Sequence, residues 1–496
     1  MPYGDRVPDV VVVGGGGSGI PLAVRLAGSG ASVLLLEEGQ STPESLAALA
    51  HGPWQVLGAQ MGHPATRAHP VDLTGARPWG VTRGKVLGGS TAVNGGYFVR
   101  ARTSDFDAWA RAGGERWRSD AVLPLLRRLE SDVAHGSTPV HGDSGPMPVD
   151  RAPLEHPACQ ALLTAADALG IAWDPDKNDS RDTGVGAVPT NVADGHRVST
   201  ARGYLTDGLP SGLTIRGDTR VLRVRLVAGR AMGVETTAGF VPAGRVVLCA
   251  GALGSAQLLM LSGVGPADDL RRAGVTVAAD LPVGVAVSDH PQVVVDWPAS
   301  SPLPRPSSWL GAVIHATSPG STREGNVELL QSLLPMESLV AGSAEDPGLS
   351  LVVADTTPQN RGSVRLRSSD PDDDVLVDLG YLRDEADRGA LRHGVRLAAS
   401  LLGSSPLSTA GRPGVPDGIL CEDRLLDAWI EERLGTAMHL CASAPMGQVV
   451  AGDGSVYGTE DLHVADTSIL PSAPLRGPAN TAVLIGELVA EAIAGR

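Results

Sequence analysis

The sequence predicts a two-part protein, in which an α/β part built on a parallel sheet is interleaved with an α+β part built on an antiparallel sheet. Near the amino terminus, an apolar strand of four valines runs directly into a glycine-rich turn and a helix. Between Val293 and Glu432, short stretches of alternating apolar and polar residues are separated by Pro, Ser and Asp turns. The 496 residues are enough for one oversized domain or two interleaved domains.

The first element is a strand, turn, helix and strand unit of the Rossmann type. Gly14 permits the tight turn, Gly16 lets the backbone approach a pyrophosphate, and Gly19 lets the helix pack closely on the strand. The helix should run from Ile20 to Ala27, and the next strand from Val33 to Leu36. Unpaired N–H groups and the positive dipole end at the helix start favour phosphate, so the unit predicts a dinucleotide site.

An acidic residue completes this unit. Glu37 ends the second strand, about twenty residues after the glycines, where it can accept a hydrogen bond from a ribose hydroxyl. A carboxylate there disfavours a 2′-phosphate, which argues against NADP. A glycine-rich turn without a ligand is the alternative, and the complete unit argues against that alternative.

Composition and charge exclude several classes of partner. A net charge of -15 argues against nucleic acid and against an anionic membrane surface. No apolar run reaches membrane-spanning length, although peripheral membrane contact stays open. No basic and apolar leader precedes Asp9, and Cys159, Cys249, Cys421 and Cys441 lack metal-type or redox-type spacing. We therefore expect a cytoplasmic protein with reduced thiols and no metal.

The chain divides into three regions by character. Residues 1–292 form most of the nucleotide-binding part, with insertions of the second part around 150–200, and residues 433–496 complete it. Residues 293–432 form the second part. Its alternating segments 362–367 and 375–379 are expected in one antiparallel sheet with a substrate-facing surface.

A loop of small residues, which contains Gly88, Gly89 and Asn94, could bind the edge of a flat ring. Gly88 and Gly89 let main chain approach a ring edge, and Asn94 can hydrogen-bond that edge. On its own, this loop could equally be a packing turn. A second segment, residues 251–266, is the end of a strand followed by a helix and a glycine-containing stop.

These two segments resemble the paired signatures of the glucose–methanol–choline oxidoreductases, a family of FAD flavoproteins. Residues 281–291, 361–366 and 464–471 are also similar to family motifs and stand in the family's order. The resemblance implies FAD and not NAD in the amino-terminal fold, with a donor oxidised at the flavin face. It also implies that residues 293–432 form the substrate domain.

The resemblance implies a set of FAD contacts, in which the pyrophosphate lies at the glycine turn, the adenosine ribose at Glu37 and the adenine at the backbone of Val221. The isoalloxazine should lie along one small-residue loop, and the ribityl chain and pyrimidine edge near the last helix. By group, these residues are Gly14, Gly16, Gly17, Ser18 and Gly19; Gly88, Gly89, Asn94 and Gly95; and Asp466, Pro478 and Ala479. Some family members attach FAD through a histidine at the position of Val93, so we expect noncovalent FAD here.

His439 matches the family's catalytic histidine. The chemistry needs a base that takes a hydroxyl proton while the adjacent C–H leaves as hydride to flavin N5, and imidazole has a suitable pKa. Most relatives place a second His or Asn beside it, and that position falls on Gly477. Asn480 is the nearest polar candidate, either as a catalytic partner or as a cap of the last helix.

Four further segments, 94–100, 104–109, 141–146 and 476–482, resemble the mycofactocin-associated actinobacterial branch. This resemblance implies that the donor is a reduced peptide-derived redox cofactor. The electrons would pass to an acceptor that the sequence leaves open, a respiratory component, a quinone or O2. One alternative is an oxidase of alcohols, sugars or secondary metabolites. Others are a hydroxynitrile-type lyase, which keeps FAD without net redox, and a non-catalytic flavin-binding protein.

Overall fold

The structure is a computed structural model that describes residues 7–42, 49, 62–179, 181–300, 302–341, 348–404 and 407–495. The strands in this part of the chain are β1 (Val10–Val13), β2 (Val33–Leu36), β3 (Thr66–Asp72), β4 (Pro78–Gly84), β5 (Glu130–Asp132), β6 (Met147–Arg151), β7 (Gly184–Ala187), β8 (Pro189–Thr190), β9 (Val192–Ala193), β10 (His196–Arg197), β11 (Leu213–Arg216), β12 (Val221–Val227), β13 (Arg230–Thr236), β14 (Gly239–Pro242), β15 (Arg245–Leu248), β16 (Val264–Gly265), β17 (Ala279–Asp280), β18 (Pro291–Pro298), β19 (Leu310–Ala316), β20 (Val327–Ser332), β21 (Gly348–Asp355), β22 (Ser363–Arg365), β23 (Leu376–Asp378), β24 (Leu434–Thr436) and β25 (Leu462–Val464).

The α-helices of the same part are α1 (Gly19–Gly28), α2 (Thr103–Gly113), α3 (Ser119–Leu129), α4 (Pro157–Ala168), α5 (Thr200–Tyr204), α6 (Gly251–Leu261), α7 (Ala267–Arg272), α8 (Met336–Ala341), α9 (Glu385–Gly403), α10 (Leu407–Ala410), α11 (Asp417–Leu420), α12 (Asp423–Arg433) and α13 (Ala479–Ala494). Short 3-10 helices include Gly89–Ala92 and Thr467–Ile469.

A five-stranded parallel sheet organises the nucleotide-binding part, in the order β11-β2-β1-β15-β25. Every residue of β1 and β2 is buried, as expected of parallel strands covered by helices on both faces. The predicted helix after the glycine turn lies within α1, and the predicted second strand coincides with β2. The α/β prediction for this part is confirmed.

The end of the chain returns to the first βαβ unit. β25 pairs with β15, and α13 packs against α1 so closely that a methyl group on Gly486 would overlap the carbonyl oxygen of Ser18. The buried carboxylate of Glu487 on α13 accepts hydrogen bonds from Arg25 at 2.8 Å and from Tyr204 at 2.7 Å. These contacts hold the middle of α13 against α1.

The second part is built on a six-stranded antiparallel sheet, in the order β24-β18-β21-β20-β19-β7. α9 packs across β18, β20 and β21. β7 comes from residues 184–187, within the region where an insertion was predicted, and β24 lies just beyond the predicted boundary at 432. The antiparallel sheet is as predicted, and the chain boundaries stay predictions.

The alternating segments 362–367 and 375–379 do pair antiparallel, as predicted, but they lie outside the six-stranded sheet. They form β22 and β23, which join β3 and β4 in a separate four-stranded sheet of order β22-β23-β3-β4. Alternation fixes which face of a strand is buried, and it does not say which strand supplies the hydrogen-bonded partner. The link to the amino-terminal region is a parallel pairing of Asp378 with Asp72.

Two further expectations concern membrane contact and cysteines. Within the described ranges, none of the helices is both long enough and apolar enough to cross a membrane. Cys159, Cys249, Cys421 and Cys441 are unpaired thiols, and of these Cys421 is exposed. A cytoplasmic location stays a prediction.

Candidate active site

The glycine turn after β1 has the shape of a phosphate-binding loop. Gly14 has φ +104°, and a methyl group there would come 2.5 Å from the carbonyl oxygen of Cys249. A methyl group on Gly19 would overlap the carbonyl oxygen of Gly14, so the helix can approach the strand only with glycine here. Gly16 faces Gly89, on which a methyl group would lie 2.7 Å from the Gly16 Cα. The turn therefore lies directly against the small-residue loop.

Main-chain donors are available at this turn. Among the described residues, the amides of Gly16, Gly17 and Ser18 have no hydrogen-bond acceptor, and the Ser18 side chain does not cap α1. Unpaired N–H groups at the start of a ten-residue helix attract phosphate oxygens.

Glu37 lies at the carboxyl end of β2 and is buried. Its carboxylate accepts hydrogen bonds from the amides of Gly15 at 2.8 Å and Gly39 at 2.9 Å. Burial raises the pKa of Glu37 to about 7, and these two amides act against that rise. The amide of Thr219 donates to the Glu37 carbonyl oxygen, which brings the segment leading to Val221 at the start of β12 to the same end of the sheet.

The loop after β4 contains two positions at which only glycine avoids backbone strain. Gly88 and Gly89 have φ of +98° and +52°, and the 3-10 helix follows at once. Asn94 accepts a hydrogen bond from the Gly96 amide at 3.1 Å, which fixes its side-chain oxygen within the loop. Arg197 donates to the carbonyl oxygen of Asn94. These two hydrogen bonds fix the conformation of the loop around Asn94.

Trp309, a residue without a predicted role, covers Gly95. Its indole Nε1 donates to the Gly95 carbonyl oxygen at 3.0 Å, and its Cζ2 would lie 2.5 Å from a methyl group on Gly95. Only glycine at this position lets the indole approach the main chain this closely. The loop is therefore covered on this side by an aromatic ring that comes from the residue before β19.

The start of α13 carries buried polar atoms without partners. Asn480 is fully buried, and neither its side-chain oxygen nor its nitrogen has a hydrogen-bond partner among the described residues. The Thr481 hydroxyl is in the same state. Each such atom costs about 1–3 kcal/mol when it is buried without a partner, so the three atoms are candidates for contact with a ligand.

The helix-cap interpretation of Asn480 is wrong. α13 begins at Ala479 after Pro478, which makes Asn480 the second residue of the helix, and its side chain bonds no backbone amide. A cap would have to stand one residue before the first helical position. Gly17 lies beside the helix start, since a methyl group there would be 3.5 Å from the Ala482 Cβ.

The buried carboxylate of Asp466 links the start of α6 to the 3-10 helix Thr467–Ile469. Its carboxylate accepts from the Gly251 amide at 2.9 Å and the Ser255 hydroxyl at 2.6 Å, which ties it to the start of α6. The Ser468 amide and hydroxyl donate to the other oxygen at 2.9 and 2.6 Å. Four protein donors thus use this carboxylate, and a contact with the ribityl chain stays a prediction.

His439 is held by the Asp289-His290 pair. Its amide donates to Asp289 Oδ1 at 2.6 Å, and its Nδ1 lies 3.0 Å from Nδ1 of His290. Asp289 also accepts from the hydroxyls of Thr436 at 2.5 Å and Tyr381 at 2.8 Å. The backbone and the imidazole of His439 are therefore both fixed by one dipeptide.

The two imidazoles are neutral. Burial lowers the pKa of His290 to about 3 and the pKa of His439 well below its usual value. The carbonyls of Pro474 and Thr356 act against burial and favour a protonated nitrogen on His290. Among the described residues His290 Nε2 has no hydrogen-bond partner, so the tautomers are assigned here through the Nδ1–Nδ1 contact alone. We assign the shared proton to His439 Nδ1, which leaves the lone pair of His439 on Nε2.

Gly477 adjoins that lone pair. A methyl group on Gly477 would lie 3.4 Å from His439 Nε2 and 3.9 Å from Cδ1 of Tyr97. The position predicted to correspond to the family's second His or Asn thus lies beside His439 Nε2, but it has no side chain here. Asn480 makes no hydrogen bond to His439.

The Tyr97 hydroxyl begins a buried chain of hydrogen bonds. The Tyr97 hydroxyl donates to Glu328 Oε2 at 3.0 Å, and His315 Nε2 is 3.0 Å from the same oxygen. Sequence reasoning gave no role to Glu328 or His315, because no local pattern marks them. They meet through the register of β19 and β20, which pairs His315 with Glu328.

A second group of titratable residues lies among β5, β6 and the loop after β5. Ligand-type atoms of Glu130, Asp132 and His141 lie within 4.8 Å of one another. Arginines already pair the carboxylates, Arg100 with Glu130 at 2.5 Å and Arg151 with Asp132 at 2.9 Å. His141 bonds Glu130 at 2.7 Å through Nδ1 and Asp176 at 2.8 Å through Nε2. The group is an ion-pair cluster centred on an imidazole.

Comparison with known proteins identifies the family. The family model described as GMC oxidoreductase matches residues 9–292 with its amino-terminal part and residues 358–486 with its carboxyl-terminal part. This chain belongs to the GMC oxidoreductase family. An uncharacterised GMC-type oxidoreductase of Rhodococcus erythropolis is 35% identical over 512 residues, covering 98% of each chain. The oxygen-dependent choline dehydrogenase of Brucella anthropi is 30% identical over 539 residues, covering 98% of this chain and 96% of the relative.

Solved structures of GMC oxidoreductases share the fold. Pyridoxine 4-oxidase from Mesorbium loti superposes with a TM-score of 0.89 at 26% identity, covering 99% of each chain. A formate oxidase variant of Aspergillus oryzae gives a TM-score of 0.90 at 23% identity, again over 99% of each chain. The predicted GMC fold is confirmed. The comparisons establish the family and not the branch, so the mycofactocin relationship stays a prediction.

GMC oxidoreductases bind FAD, and this protein is an FAD-dependent oxidoreductase. The residues present fit that cofactor. The glycine turn offers free amides for a pyrophosphate, Glu37 offers a carboxylate for a ribose, and the start of α13 offers three unpaired polar atoms for the polar edge of a flavin.

Proposed function

We propose that the protein oxidises a CH–OH donor and that His439 Nε2 takes the hydroxyl proton. The observation that carries the proposal is the place of His439 Nε2, on a half-buried imidazole, 3.4 Å from the point that a methyl group on Gly477 would occupy. Its surroundings lower the pKa of His439 well below its usual value, so the imidazole is available as a base. Bound FAD supplies the acceptor for the hydride that leaves the same donor carbon. The donor thus loses one proton and one hydride and becomes a carbonyl compound, so two electrons are transferred.

His290 would stabilise the protonated form of His439. Once Nε2 has taken a proton, His439 is an imidazolium whose Nδ1–H still donates to His290 Nδ1 at 3.0 Å. A hydrogen bond to a charged group contributes about 1.5–3 kcal/mol, so His290 favours proton uptake without changing its own protonation. Asp289 holds both residues in register through its carboxylate.

We assign Asn480 to the flavin and not to the donor. Its amide is buried and unpaired at the start of α13, whereas the position beside His439 Nε2 is Gly477. The positive end of the α13 dipole lies at the same place and favours the negative charge of a reduced flavin. Asn480 would then bind and tune the cofactor, in place of the catalytic partnership with His439.

The test is rapid anaerobic mixing of the FAD-loaded protein with a candidate donor. A positioned base contributes about a hundred- to ten-thousand-fold to proton removal, so His439→Ala and His439→Gln should slow flavin bleaching by that order. Both variants should keep a normal FAD content, since no FAD contact is assigned to His439. Bleaching at the parent rate in His439→Gln would show that another group takes the proton.

The same experiment separates the candidate functions. A reduced mycofactocin-type cofactor is the donor favoured by the resemblance of residues 476–482, and alcohols and sugars are the alternative donors. A hydroxynitrile-type lyase would turn over without bleaching its flavin. Reoxidation of the bleached flavin by O2 or by a soluble quinone then identifies the class of electron acceptor.

A further inference from the structure

The peptide group that joins Met438 to His439 is bonded at both ends by charged side chains. Nη2 of Arg83 donates to the Met438 carbonyl oxygen at 2.7 Å, and the His439 amide donates to Asp289 Oδ1 at 2.6 Å. The cation lies at the oxygen end and the anion at the N–H end, which is the arrangement that the dipole of a peptide favours. In the part of the chain that the structure describes, no direct ion pair joins Arg83 to Asp289, so this peptide lies between the two charges.

Met438 needs such a restraint because its backbone is left-handed. Its φ is +60°, a region that a residue with a long side chain rarely adopts. The Met438 amide donates to the Thr436 hydroxyl at 2.8 Å, and that hydroxyl donates to Asp289 Oδ2 at 2.5 Å. A backbone conformation of this kind persists only where several contacts fix it. Here the contact at the carbonyl end comes from Arg83 on β4.

The guanidinium of Arg83 is half-buried and has no second partner. Within the described ranges, the bond to Met438 is its one hydrogen bond, and it makes no ion pair. Packing alone does not need a cation here, because an uncharged side chain would avoid the cost of desolvation. A methyl group on the next residue, Gly84, would overlap the main chain of Gly89. Arg83 therefore connects the small-residue loop with the segment that carries His439.

Arg83 also acts on the imidazole of His439 through its charge. Burial is the main cause of the lowered His439 pKa, and the charge of Arg83 adds to it because a nearby cation disfavours the imidazolium. Asp289 is the anion of this group, and its four donors favour the ionised form. Burial raises the pKa of Tyr381 and Cys441, which therefore stay neutral. The other titratable or charged groups that face this site are His290, Arg361 and Arg476.

We propose that Arg83 and Asp289 hold the Met438–His439 peptide from its two ends, and that Arg83 is thereby a positioning residue for the His439 imidazole. With both ends bonded, the peptide plane cannot turn over, and Nδ1 of His439 stays 3.0 Å from Nδ1 of His290. The consequence for catalysis rests on the proposed function, in which His439 Nε2 takes the proton. A misplacement of about 1 Å can cost about a hundredfold in rate, so a fixed backbone at the base favours turnover.

Histidine NMR of the FAD-loaded protein tests this inference without a donor. In protein with isotope-labelled histidine, the ring nitrogens report the tautomer of His439 and the pH at which it gains a proton, and His439→Gln identifies its signals by their loss. Arg83→Gln removes the cation, so the His439 signals should titrate at higher pH than in the parent. The tautomer with the proton on Nδ1 should also lose population, since the imidazole is no longer held against His290.

Arg83→Lys is the conservative variant. It keeps the charge, and lysine can replace arginine here because only one hydrogen bond has to be made, so the His439 signals should titrate as in the parent. Arg77→Gln is the matched control, since Arg77 also donates from the β3–β4 hairpin to main-chain carbonyls, those of Glu432 at 2.7 Å and Leu434 at 3.1 Å. It should lower the thermal stability and leave the His439 signals unchanged.

The outcomes separate this inference from the proposed function. His439 signals that titrate in Arg83→Gln as they do in the parent would overturn the inference, and so would an upward shift in Arg83→Lys. If Arg83→Gln does not bind FAD, the titration of Arg83→Lys decides alone, parent-like in support and shifted against. A His439→Gln variant that bleaches its flavin at the parent rate would instead remove the proposed base, and the NMR titration would still decide how the His439 imidazole is held.

Discussion

Nδ1 of His290 lies 3.0 Å from Nδ1 of His439, and the two rings are nearly perpendicular, at 87°. Only one proton can lie between two neutral imidazole nitrogens, so this contact couples the tautomers of both residues. With the proton on His439 Nδ1, the lone pair of His439 is on Nε2, the nitrogen that lies beside Gly477. The Asp289-His290-Pro291 segment thus determines which tautomer His439 adopts.

The pH dependence of flavin reduction follows from this pair. Burial, and then the nearby His290 and Arg83, lower the pKa of His439 well below its usual value, so the base is neutral throughout the range from pH 6 to 9. The limiting reduction rate should therefore be flat across that range and fall only at more acidic pH, as measured by stopped-flow in a set of buffers. A midpoint near pH 6.5 would contradict the lowered pKa.

Replacing His290 tests its positioning role. His290→Ala should slow reduction by about 10- to 100-fold, which corresponds to the loss of a hydrogen bond to the imidazolium, and should leave FAD content normal. It should also move the acid limb of the pH profile, a readout that a merely structural role would not move. His196→Ala, at an exposed histidine, is the control. Parent-like rates and an unchanged profile in His290→Ala would show that His439 is oriented by its backbone alone.

The sequence predicts what depends on local pattern. The βαβ unit, Glu37 and His439 stand in motifs whose spacing reports their geometry, and the first two lie where expected. The residues around Tyr97 and Gly95 could not be found in that way. Glu328 and His315 meet only because β19 and β20 pair in one register, and Trp309 reaches Gly95 from more than two hundred residues along the chain. Such contacts depend on tertiary packing, which no local pattern records.

Asn480 gives a prediction that separates cofactor binding from stability. Asn480→Ala should weaken FAD binding by about 1–2 kcal/mol, the contribution of hydrogen bonds to an otherwise unpaired buried amide. The FAD-free protein should not lose stability, because the amide has no partner there. Fluorescence titration with FAD and thermal unfolding of the FAD-free protein measure the two effects. Asn178→Ala is the matched control, since Asn178 is buried and accepts from the Arg100 amide at 2.9 Å, and it should show the opposite pattern.

Glu37 gives a pH-dependent affinity. Burial raises its pKa from 4.5 to about 7, and an ionised carboxylate binds ribose hydroxyls more strongly than a neutral one. Binding therefore favours loss of the proton, and FAD affinity should increase by about five- to tenfold as the pH rises through 7. Titration at pH 6 and pH 8 measures this change. Glu37→Gln cannot ionise, and a pH dependence that persists in this variant would place the titrating group elsewhere.

The link between FAD and protein should be noncovalent. Val93 is buried at the position where some relatives form a bond through histidine, and its side chain offers no nucleophile. Acid precipitation should leave all of the yellow colour in the supernatant, as measured by its absorbance. Flavin that stays with the precipitated chain would contradict this prediction.

The last prediction concerns the ion-pair cluster around His141. Burial alone would lower the pKa of this histidine, but hydrogen bonds to Asp176 and Glu130 outweigh burial and raise it to about 9. Both ring nitrogens donate to carboxylates, which only an imidazolium can do. Arg100 and Arg151 pair the same carboxylates, so His141 supplies the remaining positive charge of a closed cluster.

The sign of the resulting pH dependence follows from the two pKa values. The folded pKa of about 9 is higher than the usual histidine pKa of 6.5, so the folded state holds this proton more tightly than the unfolded state does. The stabilisation is complete below about pH 6.5 and is lost as the pH rises through 9. His141→Ala leaves buried carboxylates partly unpaired and should cost about 3–5 kcal/mol at pH 6.5, seen as a lower urea midpoint. The difference from the parent should shrink by pH 10, and His196→Ala should lower the midpoint at neither pH. An equal deficit for His141→Ala at pH 6.5 and pH 10 would show that the cluster stabilises the fold without a charged His141.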